Sequence, residues 1–278
     1  MKKLEVFGAI KLKGQIKISG SKNASLPILA ATLLSDKKIS LTNVPRVKDV
    51  ETMVKLLESM GSKIKKFKNG NSLLIQNNKK IKIEANYNLM STMRAGIIVL
   101  GPLLARFGEA KVSSPGGCSI GVRPIDIHLE ALKKMGAQYK IMDGYVYAKA
   151  KNGLNGAKIK FPKISVGATE NLMIAACLAK GQTTLSNCAI EPEIKDLSNF
   201  LNSIGAKIEW TGKRQIKIKG VKSFKESNYE IMFDRIEAGT MLIAAATNQN
   251  NFKITGIDPE IISTEINILK KIGAKIIQ

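Results

Sequence analysis

Four times in its 278 residues the chain returns to one phrase: Leu57-Glu-Ser-Met-Gly61-Ser-Lys-Ile, Leu132-Lys-Lys-Met-Gly136-Ala-Gln-Tyr, Leu201-Asn-Ser-Ile-Gly205-Ala-Lys-Ile and Leu269-Lys-Lys-Ile-Gly273-Ala-Lys-Ile. The copies recur at intervals of about 70 residues, the mark of repeated supersecondary units. Each reads as the end of a helix, a C-terminal glycine and the start of a strand. Any fold for this chain therefore contains four copies of one unit.

Each copy holds two helices of different character. The earlier stretches, 24–34, 95–105, 172–179 and 238–246, are apolar nearly all round, and a helix without a polar face has to be buried. The later ones, 47–60, 125–135, 194–204 and 261–272, set Lys, Glu or Asn between apolar residues three and four apart, which predicts a wet side. Lys alternates with Ile at 15–19, 80–84, 157–161 and 215–219, so these strands present one solvated and one buried face. The prediction is an α+β fold with sheets outside and helices within. No low-complexity linker marks a domain boundary, and the fourth copy stops at 273–278 as its last strand begins, which reads as a truncated chain.

Charge needs its source before it means anything. The formal net charge is +22, enough to attract phosphates, anionic substrates or nucleic acid. Only six of the 44 basic residues are Arg, and the Lys are scattered through strands and amphipathic helices, as on a solvated surface. Aromatics make up 5% and do not alternate with basic residues, so the stacking platform of single-strand binders is missing. No apolar run approaches the ~20 residues of a membrane helix. The start at Met1 has no apolar signal core, so the expected compartment is the cytoplasm. Three cysteines without close pairing argue against a disulfide framework and against a zinc site; Cys177 and Cys188 read as small core residues.

The remaining cysteine has a different setting, in Ser113-Ser-Pro-Gly-Gly-Cys118-Ser-Ile-Gly-Val-Arg123-Pro124. Pro115, Gly116, Gly117 and Gly121 make this a loop whose backbone N–H groups can approach a ligand. Free amides and a nearby guanidinium can lower the pKa of Cys118 and make it a nucleophile or proton donor. Taken alone, the loop fits a surface turn with an ordinary cysteine equally well.

Several further segments decide between those readings. Gly20-Ser-Lys22-Asn23-Ala-Ser-Leu-Pro, Met93-Arg94-Ala, Gly101-Pro-Leu-Leu-Ala-Arg-Phe-Gly108, Pro115-Gly-Gly-Cys118-Ser-Ile-Gly-Val-Arg123-Pro-Ile-Asp126-Ile-His128, Ser165-Val-Gly-Ala-Thr169, Glu191-Pro-Glu-Ile and Asp234-Arg-Ile-Glu-Ala-Gly resemble the UDP-N-acetylglucosamine 1-carboxyvinyltransferase family, enolpyruvyl transferases of the EPSP synthase-like class. The resemblance runs from near Met1 to Gln278. It implies inside-out α/β barrels of βαβαββ units, six units in two domains, of which four are present here. Residues 23–232 would form a complete domain, and 1–22 with 233–278 part of a second.

The activity implied is transfer of the enolpyruvyl group of phosphoenolpyruvate to the 3′-hydroxyl of UDP-N-acetylglucosamine with release of phosphate, the first committed step of peptidoglycan synthesis. Those two small molecules are the partners implied, with no cofactor, metal, nucleic acid or membrane. Cys118 and Lys22 are the catalytic residues by this resemblance, with Cys118 the general acid that protonates the enol methylene and the target of the epoxide fosfomycin. Lys22, Asn23 and Arg123 fall to phosphoenolpyruvate. Arg94, Arg123, Pro124, Ile125, Asp126, Ile127, Lys163, Ile164, Ser165 and Val166 fall to the nucleotide sugar.

Local chemistry agrees with parts of this. Lys22 and Asn23 open a buried helix, where free N–H groups favour an anion, although Asn23 as a simple cap beside a solvated Lys22 fits too. Arg94 opens the equivalent helix of the second copy; in a Lys-rich chain, Arg there and at Arg123 suggests multi-donor recognition of phosphate or carboxylate, and a buried structural ion pair is the alternative. His128, the sole histidine, reads as structural support for the site. The family's general-base Asp and a further clamping Arg are not carried over, so this polypeptide alone is expected to turn over little. Two rival readings are the shikimate-pathway enolpyruvyl transferase, which lacks the Pro-Gly-Gly-Cys loop, and a basic nucleic-acid-binding protein.

Overall fold

The structure, a computed structural model, describes residues 5, 13–85, 87–90, 93–113, 125–247 and 251–278, with the side chain of Arg94 also left out. The chain divides into two compact units, Met1–Gly20 with Phe233–Gln278, and Ser21–Met232.

In chain order the elements are β1 (Lys13–Lys17), α1 (Lys22–Ala31), β2 (Ile39–Thr42), α2 (Lys48–Met60), β3 (Lys63–Phe67), β4 (Ser72–Gln76), β5 (Glu84–Ala85), α3 (Tyr87–Met90), α4 (Leu100–Phe107), β6 (Glu109–Ser113), α5 (Asp126–Lys134), β7 (Gln138–Met142), β8 (Tyr145–Lys149), β9 (Lys158–Lys160), α6 (Val166–Ala176), β10 (Gln182–Ser186), α7 (Pro192–Ser203), β11 (Lys207–Gly212), β12 (Gln215–Lys219), β13 (Ser227–Glu230), α8 (Arg235–Ala246), β14 (Asn251–Thr255) and α9 (Ser263–Lys271). Three sheets of the larger unit share one plan. Their orders are β13-β2-β4-β3, β5-β6-β8-β7 and β9-β10-β12-β11. In each, the first two strands run parallel and an antiparallel hairpin adds the last two. The first sheet is completed by β13, about 190 residues further along, so the third repeat hands its trailing strand back to the first.

The repeated phrase is a helix stop in all four copies. Gly61, Gly136, Gly205 and Gly273 take φ of 109°, 93°, 104° and 96°, a left-handed conformation that costs glycine nothing. The N–H of the following residue reaches back to the carbonyl of Leu57, Leu132, Leu201 or Leu269 at 3.0, 3.1, 3.0 and 2.9 Å. The glycine N–H meets the carbonyl three residues back, closing the two-bond Schellman stop.

Burial follows the predicted inversion. In α1, residues 24–31 are buried, and a 3-10 turn, Thr32–Leu34, continues the helix equally buried; in α6, residues 168–176 are buried. The outer sheets keep their Lys in water: β9 reads exposed-buried-exposed with Ile159 inward, and in β12 Ile216 and Ile218 point in while Lys217 and Lys219 point out. Among the described residues no helix is long and apolar enough to cross a membrane.

Four expectations need correcting. The inner helix predicted at 95–105 begins as a 3-10 turn over Arg94–Val99 and becomes α-helical only from Leu100. Of the strand expected at 80–84, only Glu84 enters a ladder, with Ala85; the Lys82 N–H is taken by the carbonyl of Met60, and Ile83 O accepts the Lys111 N–H of β6 at 2.9 Å just ahead of the ladder. Residues 274–278 form no strand: the Ala274 N–H is spent on the helix stop, and among the described residues no strand pairs with them. Finally, α8 is not a buried helix: only Ala238 and Gly239 are covered, while Ile236 and Ile243 are about half exposed. In the larger unit three repeats pack their inner helices on one another; in the smaller unit the described elements packed most against α8 are α9, β14 and the 3-10 turn Pro259–Ile262, and Ser19 N–H donates to Glu237 Oε2 at 3.1 Å.

Candidate functional site

The start of α1 carries two predicted residues. Ser21, not Asn23, is the cap: its Oγ accepts the Ala24 N–H at 3.2 Å. Asn23 is exposed, which leaves its carboxamide in solvent at the positive end of the helix. Lys22 Nζ lies 3.1 Å from Asp49 Oδ2 in the first turn of α2, with both side chains roughly 40% exposed. At that exposure the pair adds under about 1 kcal/mol of stability. Its effect is orientation of the ammonium at the tip of a helix with no acidic residue in its first turn.

The second group sits at the starts of α5 and α6. Ile125 precedes α5 half-buried, Asp126 is exposed in its first turn, and Ile127 is buried. Ser165 caps α6, its Oγ accepting from Ala168 N at 3.3 Å. Lys163 beside it is exposed, and so are Ile164 at 47% and Val166 at 39%. Two bare aliphatic side chains beside an uncompensated helix start combine an apolar surface with a preference for anions.

His128 and Asn171 connect these starts. His128 is 6% exposed, and burial lowers its pKa to about 4 against the opposing pull of Asp126. Its Nδ1 lies 3.0 Å from Asn171 Nδ2. Asn171 is fully buried; Nδ2 also donates to the Ile97 carbonyl at 3.2 Å, and Oδ1 accepts the Gly101 N–H at 2.7 Å. Sequence reading passed over Asn171 and Asp49. Asn171 had a signal, a carboxamide at the edge of an apolar helix, because a buried amide must find partners. Asp49 had none beyond an acidic first turn.

Behind this junction the carboxyl of Glu170 is held well above the usual carboxylate range by burial, with Glu193 and Glu191 adding to the shift. Cys177 and Cys188 are buried thiols, as read from the sequence; burial raises the pKa of Cys177 and pushes that of Cys188 up to about 12. Among the described residues no group of His, Cys, Asp and Glu is arranged to hold a metal.

Cys118, Arg123 and Pro124 lie outside the described residues, as does the Arg94 side chain. The turn that Arg94 opens packs against both α1 and α6, and α5 packs on α6. Thus Ile125–Ile127 and Lys163–Val166 stand on two adjoining helix starts, and Lys22 and Asn23 lead a third inner helix that packs against the Arg94 turn.

A model of the family described as EPSP synthase (3-phosphoshikimate 1-carboxyvinyltransferase) matches residues 7–278. UDP-N-acetylglucosamine 1-carboxyvinyltransferase of Pelagibacter ubique is 71% identical over 276 residues, which cover 99% of this chain and 66% of that protein. The proteins of the same name from Trichlorobacter lovleyi and Rickettsia felis are 51% and 48% identical, with 62% and 67% of their lengths covered. The chain thus spans about two thirds of the length of the curated relatives it matches. Among solved structures, the enolpyruvyl transferase NikO from Streptomyces tendae superposes with a TM-score of 0.84 at 20% identity, covering 96% of this chain and 64% of that one. EPSP synthase from Acinetobacter baumannii gives 0.77 at 19%, covering 96% and 60%. The repeated inside-out architecture is therefore the EPSP synthase-like fold, and this chain belongs to the EPSP synthase family, on the side of the UDP-N-acetylglucosamine 1-carboxyvinyltransferases.

Proposed function

We propose that the chain acts in transfer of the enolpyruvyl group of phosphoenolpyruvate to the 3′-hydroxyl of UDP-N-acetylglucosamine, a cytoplasmic step that commits material to peptidoglycan. The single observation that carries this is the 71% identity over 99% of the chain with a protein of that name. The solved EPSP synthase from Acinetobacter baumannii is 19% identical to the chain, and the family model that matches residues 7–278 is the broader one. We read Ser21–Met232 as the complete domain and the smaller unit as part of a second.

The roles are those the resemblance implies, and the chemistry of the described residues supports them. Phosphoenolpyruvate needs cations and hydrogen-bond donors, and Lys22 with Asn23 at the tip of α1, together with Arg123, is the set the resemblance gives it. Charge stabilised by fixed donors at a helix tip needs no reorganisation when phosphate departs. The nucleotide sugar falls to Arg94, Arg123, Pro124, Ile125, Asp126, Ile127 and to Lys163, Ile164, Ser165 and Val166, with the apolar pair under the base and the α6 tip at the diphosphate. Cys118 donates the proton to the enol methylene. Calorimetric titration of the chain with UDP-N-acetylglucosamine tests this: saturable binding, strengthened by phosphoenolpyruvate, is expected. An absence of saturable heat, or equal heat with GDP-mannose, would overturn it.

A further inference from the structure

Three segments of the larger unit that carry candidate binding residues meet at one buried carboxamide. Asn171, one turn into α6 from Val166, accepts the N–H of Gly101 and donates to the carbonyl of Ile97, one turn beyond Arg94. Its second N–H faces His128 Nδ1 on α5, two residues from Asp126. All three hydrogen-bonding groups of the amide that point at protein are occupied, so its orientation is fixed: oxygen toward an N–H, nitrogen toward a carbonyl. A nitrogen that already donates to Ile97 can only donate to His128. The imidazole is then an acceptor at Nδ1 and carries its proton on Nε2.

The backbones are cut to fit this junction. A methyl group on Gly101 would overlap the Oδ1 and carbonyl oxygen of Asn171, so only glycine lets α4 approach. A methyl on Gly167, in the first turn of α6, would touch His128 Cε1 and Nε2 at 3.4 and 3.5 Å. The Nε2 edge of the ring therefore lies against the α6 start that Ser165 caps.

We propose that Asn171 is a positioning residue that locks the Arg94 turn, the start of α5 and the start of α6 into one rim, holding His128 in its Nε2–H tautomer. The rim's ligand rests on the proposed function and is a uridine diphosphate group; the junction itself does not depend on that reading.

His128 is the only histidine in the chain, so its imidazole nitrogens give one unambiguous set of signals in a long-range ¹H–¹⁵N spectrum. In the unaltered chain near pH 7 a single tautomer with Nδ1 unprotonated is expected. A tautomer mixture, or a proton on Nδ1, overturns the inference without any variant having to fold. Asn171→Asp keeps the acceptor for Gly101 and replaces the donor facing His128 and Ile97 by an oxygen. We expect Nδ1 to become protonated, and backbone amide signals at 97–101, 127–128 and 165–168 to move together. Movement confined to 97–101 overturns the inference. Titration with UDP separates it from the functional reading: at least tenfold weaker binding by Asn171→Asp supports positioning, and an unchanged affinity defeats it. If UDP fails to bind the unaltered chain, the functional reading falls and the two ligand-free readouts still decide the inference.

Discussion

Arg106, in the last turn of α4, donates from Nη1 to the carbonyl of Leu33 at 2.8 Å, joining the inner helix of the second repeat to the end of the first. The same nitrogen reaches Ser35 O at 3.2 Å, and Nη2 reaches Asn78 O at 3.1 Å. Leu33 and Ser35 stand at the end of the first inner helix, where carbonyls lack helical partners, and Asn78 follows β4; a planar fork serves all three at once where an ammonium cannot. Arg106→Lys should therefore destabilise the larger unit by about 2 kcal/mol, the worth of hydrogen bonds to a charged group, read as a lower urea midpoint with an unchanged slope.

Lys22 and Asp49 should separate stability from binding. Because both side chains are partly exposed, Lys22→Met is expected to change unfolding free energy by under about 1 kcal/mol. The same variant should lose the strengthening of UDP-N-acetylglucosamine binding by phosphoenolpyruvate. Calorimetry with and without phosphoenolpyruvate checks this; an intact effect would remove Lys22 from the anion site.

Acid should loosen the larger unit through His128. Its folded pKa is about 4 against an ordinary 6.5, so the unfolded chain takes up the proton first. The stability linked to the neutral ring is complete above pH 6.5 and is lost as pH falls toward 4, by up to about 3 kcal/mol. Denaturation at pH 7 and pH 4.5 should show the drop, and His128→Gln should lessen it.

Glu170 acts in the opposite direction. Its folded pKa is raised, so its contribution is complete below the ordinary carboxyl range and declines as pH rises through the folded value. Glu170→Gln keeps the shape without the charge. Its urea midpoint at pH 8 is expected above that of the unaltered chain, with the two converging at pH 4.

The cysteines should react unequally. Burial raises the pKa of both Cys177 and Cys188, so neither supplies thiolate near pH 7. Brief alkylation of the native chain followed by peptide mass analysis should place the adduct on Cys118, with the other two modified only after denaturation. Prior labelling by fosfomycin should block that adduct.

Much of this architecture was legible because its signals are local. Leu57 and Gly61, and their three counterparts, specify a helix stop within six residues, and Lys alternating with Ile specifies which face of β12 is wet. What escaped depends on distant partners. The turn at Arg94–Val99 is shaped by packing, with Gly96 against the sulfur of Met90. Of the candidate site, the helix start at Lys22 could be read from polar residues ahead of an apolar run, whereas α6 starts at Val166, six residues before the apolar stretch read at 172–179. The link through Asn171 could not, because its partners Gly101 and His128 lie 70 and 43 residues away.

The uneven cover of α8 has a consequence in time as well as space. The smaller unit's core rests on Ile18, Phe233, Ala238, Ile262 and Ile266, whereas α6 is sealed along nine successive residues. Opening of α8 to deuterated solvent needs little apolar surface to be wetted, and opening of α6 needs nearly the whole core of its unit to come apart. Amide protons of α8 should thus vanish from a spectrum while those of α6 persist, so the chain breathes at one end and stays shut at the other.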